Sequence, residues 1–186
     1  MKFTLIAAGT LLATAPAYAI NLLSNAGFES GSMAPWVQDQ DFGGTENWNV
    51  TSADANTGLF SATDVGNKRI MQSFTATSVS LISEVSVWIK NPDVVINAVA
   101  LFYDDSTVQE GLVWAPNGEW NKVDVTSWLL SGKNLNGVGV WGYSGGGAGE
   151  DRSYVDDFVV EAVPEPATMA ALGLGVAGLI SKRRRK

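Results

Sequence analysis

The chain has no cysteine and no histidine among its 186 residues. Without cysteine there is no disulfide framework, no thiolate metal site and no cysteine nucleophile. Without histidine there is no imidazole acid or base, no Ser-His-Asp triad and no Cys/His zinc centre. Basic charge is also scarce where a domain would fold. Of 12 Lys and Arg, Lys2 and the five at 182–186 lie at the chain ends. Between Ile20 and Ala162, 6 basic side chains face 18 acidic ones, a net charge of −12. That balance excludes a nucleic-acid partner, because phosphate binding needs clustered Lys and Arg. Such a surface repels anionic lipid and offers carboxylates to divalent cations. The length leaves room for one ordinary domain and its targeting segments.

The two ends are distinctive. Lys2 supplies a short positive region, Phe3 to Ala15 an apolar stretch, and Ala17-Tyr18-Ala19 a small-x-small cleavage pattern. Residues 1–19 therefore read as a signal-peptide helix for the Sec translocon, with the mature chain starting at Ile20. A buried helix in the same place would be amphipathic, whereas this segment is apolar all round. No cysteine follows the cleavage pattern, so a lipoprotein-type anchor is not expected.

At the other end, Val163-Pro164-Glu165-Pro166 precedes a small-and-apolar run from Ala167 to Ile180. Ser181 and then Lys182, Arg183, Arg184, Arg185 and Lys186 follow. Pro164 and Pro166 cannot continue a strand or a helix interior, so they separate a domain (20–162) from a tail (163–186). A transmembrane helix over 167–181 is expected. Its apolar run spans roughly 21 Å at about 1.5 Å per residue, short of a bilayer core of about 30 Å. Crossing then relies on snorkelling cations or local thinning, which suits a transient inner-membrane anchor. The basic stop holds the cytoplasmic side and places the domain outside.

Between the ends, apolar residues recur with period two. Val79, Leu81, Val85, Val87 and Ile89 share one parity, with Ser80, Glu84, Ser86, Trp88 and Lys90 on the other. Val94–Tyr103 is apolar on both faces and reads as a central strand. Val123 and Val125 alternate with Lys122 and Asp124, and Val138 and Val140 with Gly139 and Trp141. In the last strand Val155 and Val159 alternate with Tyr154, Asp156, Phe158 and Val160. Turn-forming clusters such as Asn91-Pro92-Asp93 and Ser131-Gly132-Lys133-Asn134 punctuate these runs. Short strands at this spacing, with no interleaved helices, predict an all-β antiparallel sandwich.

Two resemblances add to this reading. Val163 to Lys186, with Pro164-Glu165-Pro166, the apolar stretch and the basic end, resembles the PEP-CTERM sorting signal of Gram-negative bacteria. The resemblance implies an exosortase substrate, held briefly in the inner membrane and then passed to the cell surface or extracellular matrix. It also implies a setting rich in exopolysaccharide, such as a biofilm. The opening Asn21-Leu22-Leu23-Ser24-Asn25-Ala26-Gly27-Phe28-Glu29-Ser30-Gly31, with Pro35-Trp36, looks like the start of jelly-roll carbohydrate-binding modules. Tyr154-Val155-Asp156-Asp157-Phe158-Val159-Val160-Glu161 looks like their last strand, as it does in galactose-binding-like domains. In those folds the first and last strands lie side by side and a structural calcium often joins them. The resemblance then makes Glu29 and Asp157 carboxylate ligands and Asn25 a further donor. The plainer alternative has Asp156 and Asp157 flanking a turn or pairing with Arg152. No cofactor is required beyond such a calcium.

Sugar recognition stacks aromatic faces on pyranose rings beside polar groups. Among seven Trp, Trp88 shares a face with Glu84 and Lys90. Trp141 and Tyr143 oppose Val138 and Val140. Trp88, Trp141 and Tyr143 are therefore the carbohydrate-binding candidates, whereas Trp36 and Trp48 read as structural. Trp114 and Trp120 flank a turn. Glycoside hydrolysis needs only two facing carboxylates. The adjacent pairs Asp104-Asp105, Glu150-Asp151 and Asp156-Asp157 cannot supply them alone, because neighbours in a strand point to opposite faces. The expected function is non-catalytic: polysaccharide or matrix binding. A structural matrix or adhesion protein without a small ligand is the alternative, followed by a small glycoside hydrolase.

Overall fold

A computed structural model describes residues 18–44, 47–92, 95–115, 118–144 and 152–163. The chain divides into two compact units, and every element described here belongs to the unit Ala19–Ala162. The expected helices at 1–19 and 167–181 fall outside the described residues, save Tyr18 and Ala19, which lie in no helix. Among the described residues no helix is long and apolar enough to cross a membrane.

Among the described residues ten strands follow in order: β1 (Ile20–Asn21), β2 (Val37–Gly44), β3 (Asn49–Thr51), β4 (Ser61–Ser78), β5 (Ile82–Lys90), β6 (Val95–Tyr103), β7 (Val108–Val113), β8 (Asn121–Asp124), β9 (Asn134–Ser144) and β10 (Arg152–Ala162). Every pairing is antiparallel. The 18-residue β4 belongs to two sheets. Its start, Ser61–Val65, pairs with β3 and β10. Its remainder, from Gly66 to Ser78, pairs with β2 and β9. The first sheet therefore runs β3-β4-β10-β5-β8, with β1 beside the end of β10, and the second runs β2-β4-β9-β6-β7. The result is the expected all-β jelly-roll sandwich.

The core lies between the sheets. Val85, Val87, Ile89, Val155, Phe158 and Val160 face it from the first sheet, and Ile70, Val99, Leu101, Leu135, Val138 and Val140 from the second. Each such side chain, fully buried, stabilises the fold by roughly 1.5–3 kcal/mol relative to exposure. Phe28, Trp36 and Phe158 close one part of it, with Trp36 and Phe158 ring centroids 4.4 Å apart. The first and last strands are neighbours, with Ile20 opposite Ala162.

Two stretches depart from simple alternation. Val79–Leu81 forms a 3-10 turn, so β5 begins only at Ile82. In β10 the pairing with β5 skips between Asp156 and Val159, and Asp157 takes φ 45°. An extra residue in one strand rotates everything after it. Phe158 and Val160 thus join Val155 in the core, while Val159 turns outward, the reverse of its predicted parity.

Candidate functional site

The second sheet carries a side-chain layer on its outer face, away from the core. In register across four strands, Leu112, Ala98, Trp141 and Arg69 form one row, and Glu110, Ala100, Gly139 and Met71 the next. Ala98, Ala100 and Trp141 form a small cluster of their own, separate from the main core, with Phe102 packed against it. The Arg69 guanidinium lies 4.9 Å from the Phe102 ring centroid and 5.6 Å from that of Trp141. It also holds Asp39 on β2 through Nε (2.9 Å to Oδ1) and Nη2 (2.5 Å to Oδ2). The small residues make this reach possible. A Cβ at Gly139 would sit 2.9 Å from the Ile70 carbonyl and 3.3 Å from the Phe102 ring.

Along β7 this face is open and apolar. Leu112 is 68% exposed, Trp114 just beyond the strand 56%, and Val108 46%. With Glu110 between them, these residues share one parity and form a stripe bordering the Ala98/Ala100 floor. Among the described residues of the domain Trp114 is the most exposed aromatic, and the sequence reading leaves it as a turn residue. The missed signal is alternation itself: Val108, Glu110, Leu112 and Trp114 are every second residue.

The predicted sugar-binding residues do not form one surface. Trp141 lies on the outer face of the second sheet and is almost covered, at 6% exposure. Trp88 lies on β5, across from Asp156 and Lys122, on the outer face of the first sheet. Strand parity distinguishes inside from outside and cannot say which sheet a strand joins; the two Trp thus end on opposite faces of the sandwich. Tyr143 pairs with Ile96 through its backbone, and its side chain lies outside the described residues.

Around Trp88 the first sheet carries paired charges. Lys122 Nζ meets Glu84 at 2.7 Å, and Lys90 Nζ meets Asp54 at 2.6 Å. Hydrogen bonds from Lys122 and Ser86 hold Glu84 below the usual carboxylate range. For Asp54, burial pushes the carboxyl up, but hydrogen bonds from Lys90 and Trp120 outweigh it and the net shift is downward.

The predicted calcium residues meet a loop. Glu29 accepts the backbone N–H groups of Leu59 and Phe60, and Asp157 accepts Asn56 Nδ2 and Thr57 Oγ1, both at about the hydrogen-bond norm. Asp156, fully buried, accepts the N–H groups of Asn56 and Thr57. Burial first, then the neighbouring Asp157 charge, pushes Asp156 up to about 6 against the pull of these N–H groups. Two carboxylates thus approach Gly27, where a Cβ would lie 3.0 Å from Asp157 Oδ1 and 3.4 Å from Asp156 Oδ1, while the Glu29 carboxylate packs against Gly58. Asn25 is placed differently. Its side chain ties the 25–34 turn together through Ser30, Ser32 and Ala34, and its carbonyl accepts the Trp36 indole. The Glu29 and Asp157 oxygens are of the kind a hard cation such as Ca²⁺ takes, and here they accept hydrogen bonds from the 56–60 loop. As placed, no group of three or more acidic side chains among the described residues is close enough to hold a metal by itself, so backbone carbonyls would have to complete any such set.

The sorting residues Pro164, Glu165 and Pro166 and the basic residues 182–186 lie outside the described residues. Sequence comparison covers them. Residues 162–186 match the PEP-CTERM protein-sorting motif, which implies exosortase-processed export and a membrane-anchored C-terminal sorting signal. No curated protein matches the chain. Similar solved structures include carbohydrate-binding modules, and also the enzymatically active domain of a bacteriophage tailspike protein and a cyclase. TmCBM61, solved with β-1,4-galactotriose, aligns over 75% of this chain and 97% of its own at TM-score 0.55 and 20% identity. A xylan-binding domain from Paenibacillus barcinonensis aligns over 81% and 99% at TM-score 0.56 and 18% identity. The family 11 module of a cellulosomal cellulase of Clostridium thermocellum aligns over 81% and 99% at TM-score 0.50 and 13% identity. At these identities the likeness is one of fold.

Proposed function

We propose that this chain is exported, trimmed by an exosortase at its C-terminal signal, and retained at the cell surface or matrix, where it binds extracellular polysaccharide without catalysis. The observation that carries the reading is the outer edge of the second sheet: exposed Val108, Leu112 and Trp114 beside the buried Ala98, Ala100 and Trp141, with carboxylates at Glu110 and Asp39. Aromatic and aliphatic carbon can stack on the C–H faces of sugar rings, and the carboxylates can accept their hydroxyls. The non-catalytic part is supported by how the described acids are used. Asp104 accepts Asn134, Asp105 pairs with Lys133, and Asp156 and Asp157 anchor the 56–57 loop.

The test is retention of the secreted protein on the polysaccharide of its own producing cells, with Trp114→Ala beside the natural chain. Retention lost on substitution supports the reading. Retention of neither favours a matrix protein without a glycan ligand, and release of reducing ends would favour a hydrolase.

We propose in addition that Glu29 and Asp157, with a backbone or side-chain oxygen from the Asn25 turn, hold a structural calcium that clips the segment after the first strand to the last strand. A chain without disulfides gains from such a clip.

A further inference from the structure

The open carbon on the outer face of the second sheet forms a line along one strand. Across the sheet from β7 the side chains close on one another, and Ala98, Ala100, Trp141 and Arg69 are all buried. The accessible surface runs along β7 instead, at Val108, Leu112 and Trp114, with the exposed Glu110 between them. β7 is the edge strand of its sheet, so this row has a neighbouring strand on one side only. From Val108 to Trp114 the stripe runs about 20 Å, at roughly 3.4 Å per residue.

That length takes several sugar rings laid end to end, far more than one. Both extremities of the stripe are exposed, so a chain held there can run past Val108 at one end and Trp114 at the other. An indole face, two aliphatic side chains and one carboxylate acceptor in a row suit an extended glycan, whose ring C–H faces are flanked by hydroxyls. A pocket for a chain end would need walls around one ring, and this surface is a ridge.

Charge narrows the ligand further. The domain has 6 basic side chains, and each is engaged. Arg69 is forked to Asp39, Lys90 pairs with Asp54, Lys122 with Glu84 and Lys133 with Asp105. Lys68 donates to Asn47 Oδ1 and Arg152 to Thr63 Oγ1. Glu110, in the middle of the stripe, has Arg69 Nη1 at 3.9 Å, and that guanidinium already serves Asp39. An acidic group on a bound glycan would therefore meet Glu110 and would have to break an existing pair to find a cation. On the polysaccharide reading above, we propose that a glycan chain without acidic groups lies lengthwise along β7, held through its interior over several consecutive sugar units.

The experiment takes the polysaccharide of the producing cells, separated by anion exchange into neutral and acidic fractions, with part of the neutral fraction cut by partial acid hydrolysis into a ladder of oligosaccharides. Isothermal titration calorimetry with the processed protein gives the affinity for each. Affinity should rise about tenfold or more from the disaccharide to the longer oligosaccharides and then level off. Converting the reducing ends of the longer oligosaccharides to alditols should change it by less than about twofold, and the acidic fraction should bind about tenfold more weakly. Val108→Asp and Trp114→Ala lie at opposite ends of the stripe. Each should weaken the longest oligosaccharides about fivefold, while at most one of them affects the disaccharide. Equal affinity for disaccharide and polymer, a loss on conversion of the ends, or an acidic fraction that binds as tightly overturns the proposal. So does a Val108→Asp protein that binds the polymer like the natural chain. Failure of the polysaccharide reading looks different: neither fraction binds at any length, and both conclusions fall together.

Discussion

Arg69 and Asp39 form a two-point fork that joins β4 to β2 on the outer face of the second sheet, with Arg69 only 7% exposed and Asp39 21%. Lysine carries the same charge but cannot make two parallel bonds or lie flat against Phe102 and Trp141. Arg69→Lys should therefore cost about 2–3 kcal/mol, somewhat less than breaking a fully buried pair, since Asp39 keeps some water. Urea denaturation followed by circular dichroism checks this. An unchanged midpoint would mean that the fork contributes nothing.

Trp114 and Leu112 are exposed and pack on little, so their removal should spare the fold. Trp114→Ala is expected to lower polysaccharide affinity about five- to tenfold, the scale of one lost aromatic contact. The melting temperature should stay within about 1 °C, as for most surface substitutions. Affinity electrophoresis in gels containing the glycan measures the first quantity. A variant that migrates like the natural chain would clear Trp114 of any role.

The carboxylates of Glu29 and Asp157 set up a calcium test. Saturating Ca²⁺, at about 1,000 times its dissociation constant, would stabilise the domain by about 4 kcal/mol. Differential scanning calorimetry should show a melting temperature higher by several degrees in Ca²⁺ than in chelator. Glu29→Gln should abolish that difference. Identical melting curves with and without Ca²⁺ would remove the clip.

The pH profile in chelator follows from the signs of the shifts. Asp156 has its folded value raised to about 6, chiefly by burial, against the ordinary 3.8 of a free aspartate side chain. The folded state then binds the proton more tightly than the unfolded one, so stability falls as pH rises from about 4 to 6. Glu84, Asp105 and Asp124 are held below their ordinary values, chiefly by hydrogen bonds from Lys122, Lys133 and Thr126 respectively. Asp54 joins them, its burial pushing it up but Lys90 and Trp120 together pulling it down further. The stabilisation from these four is present above pH about 4 and lost below it. Melting temperature in chelator should accordingly peak near pH 4 and decline towards about pH 6. A steady rise from about pH 5 to pH 8 would contradict the placement of Asp156.

Much of the sandwich was legible because burial on one face imposes period two, as at Val138 and Val140 or Val87 and Ile89. The pairing of Ile20 with Ala162 followed from resemblance at the chain ends. β4 was not legible. It holds Lys68, Arg69, Gln72, Thr63 and Asp64 in buried positions and changes sheets midway, so its inward face shows no apolar alternation. The bulge at Asp157 was hidden for a similar reason, because both parities of β10 carry apolar residues. For the site, parity placed Trp88 and Trp141 outside the core but left their sheets unassigned, and only the pairing of β5 with β10 and of β9 with β4 separates them.

The most direct measurement is equilibrium binding of the processed protein, purified from its producing cells, to their own extracellular polysaccharide, with Leu112→Asp run in parallel. The account predicts saturable binding by the natural chain and a loss of about tenfold or more when a charge is placed on the apolar edge. Equal binding by both proteins, or binding by neither, would contradict it.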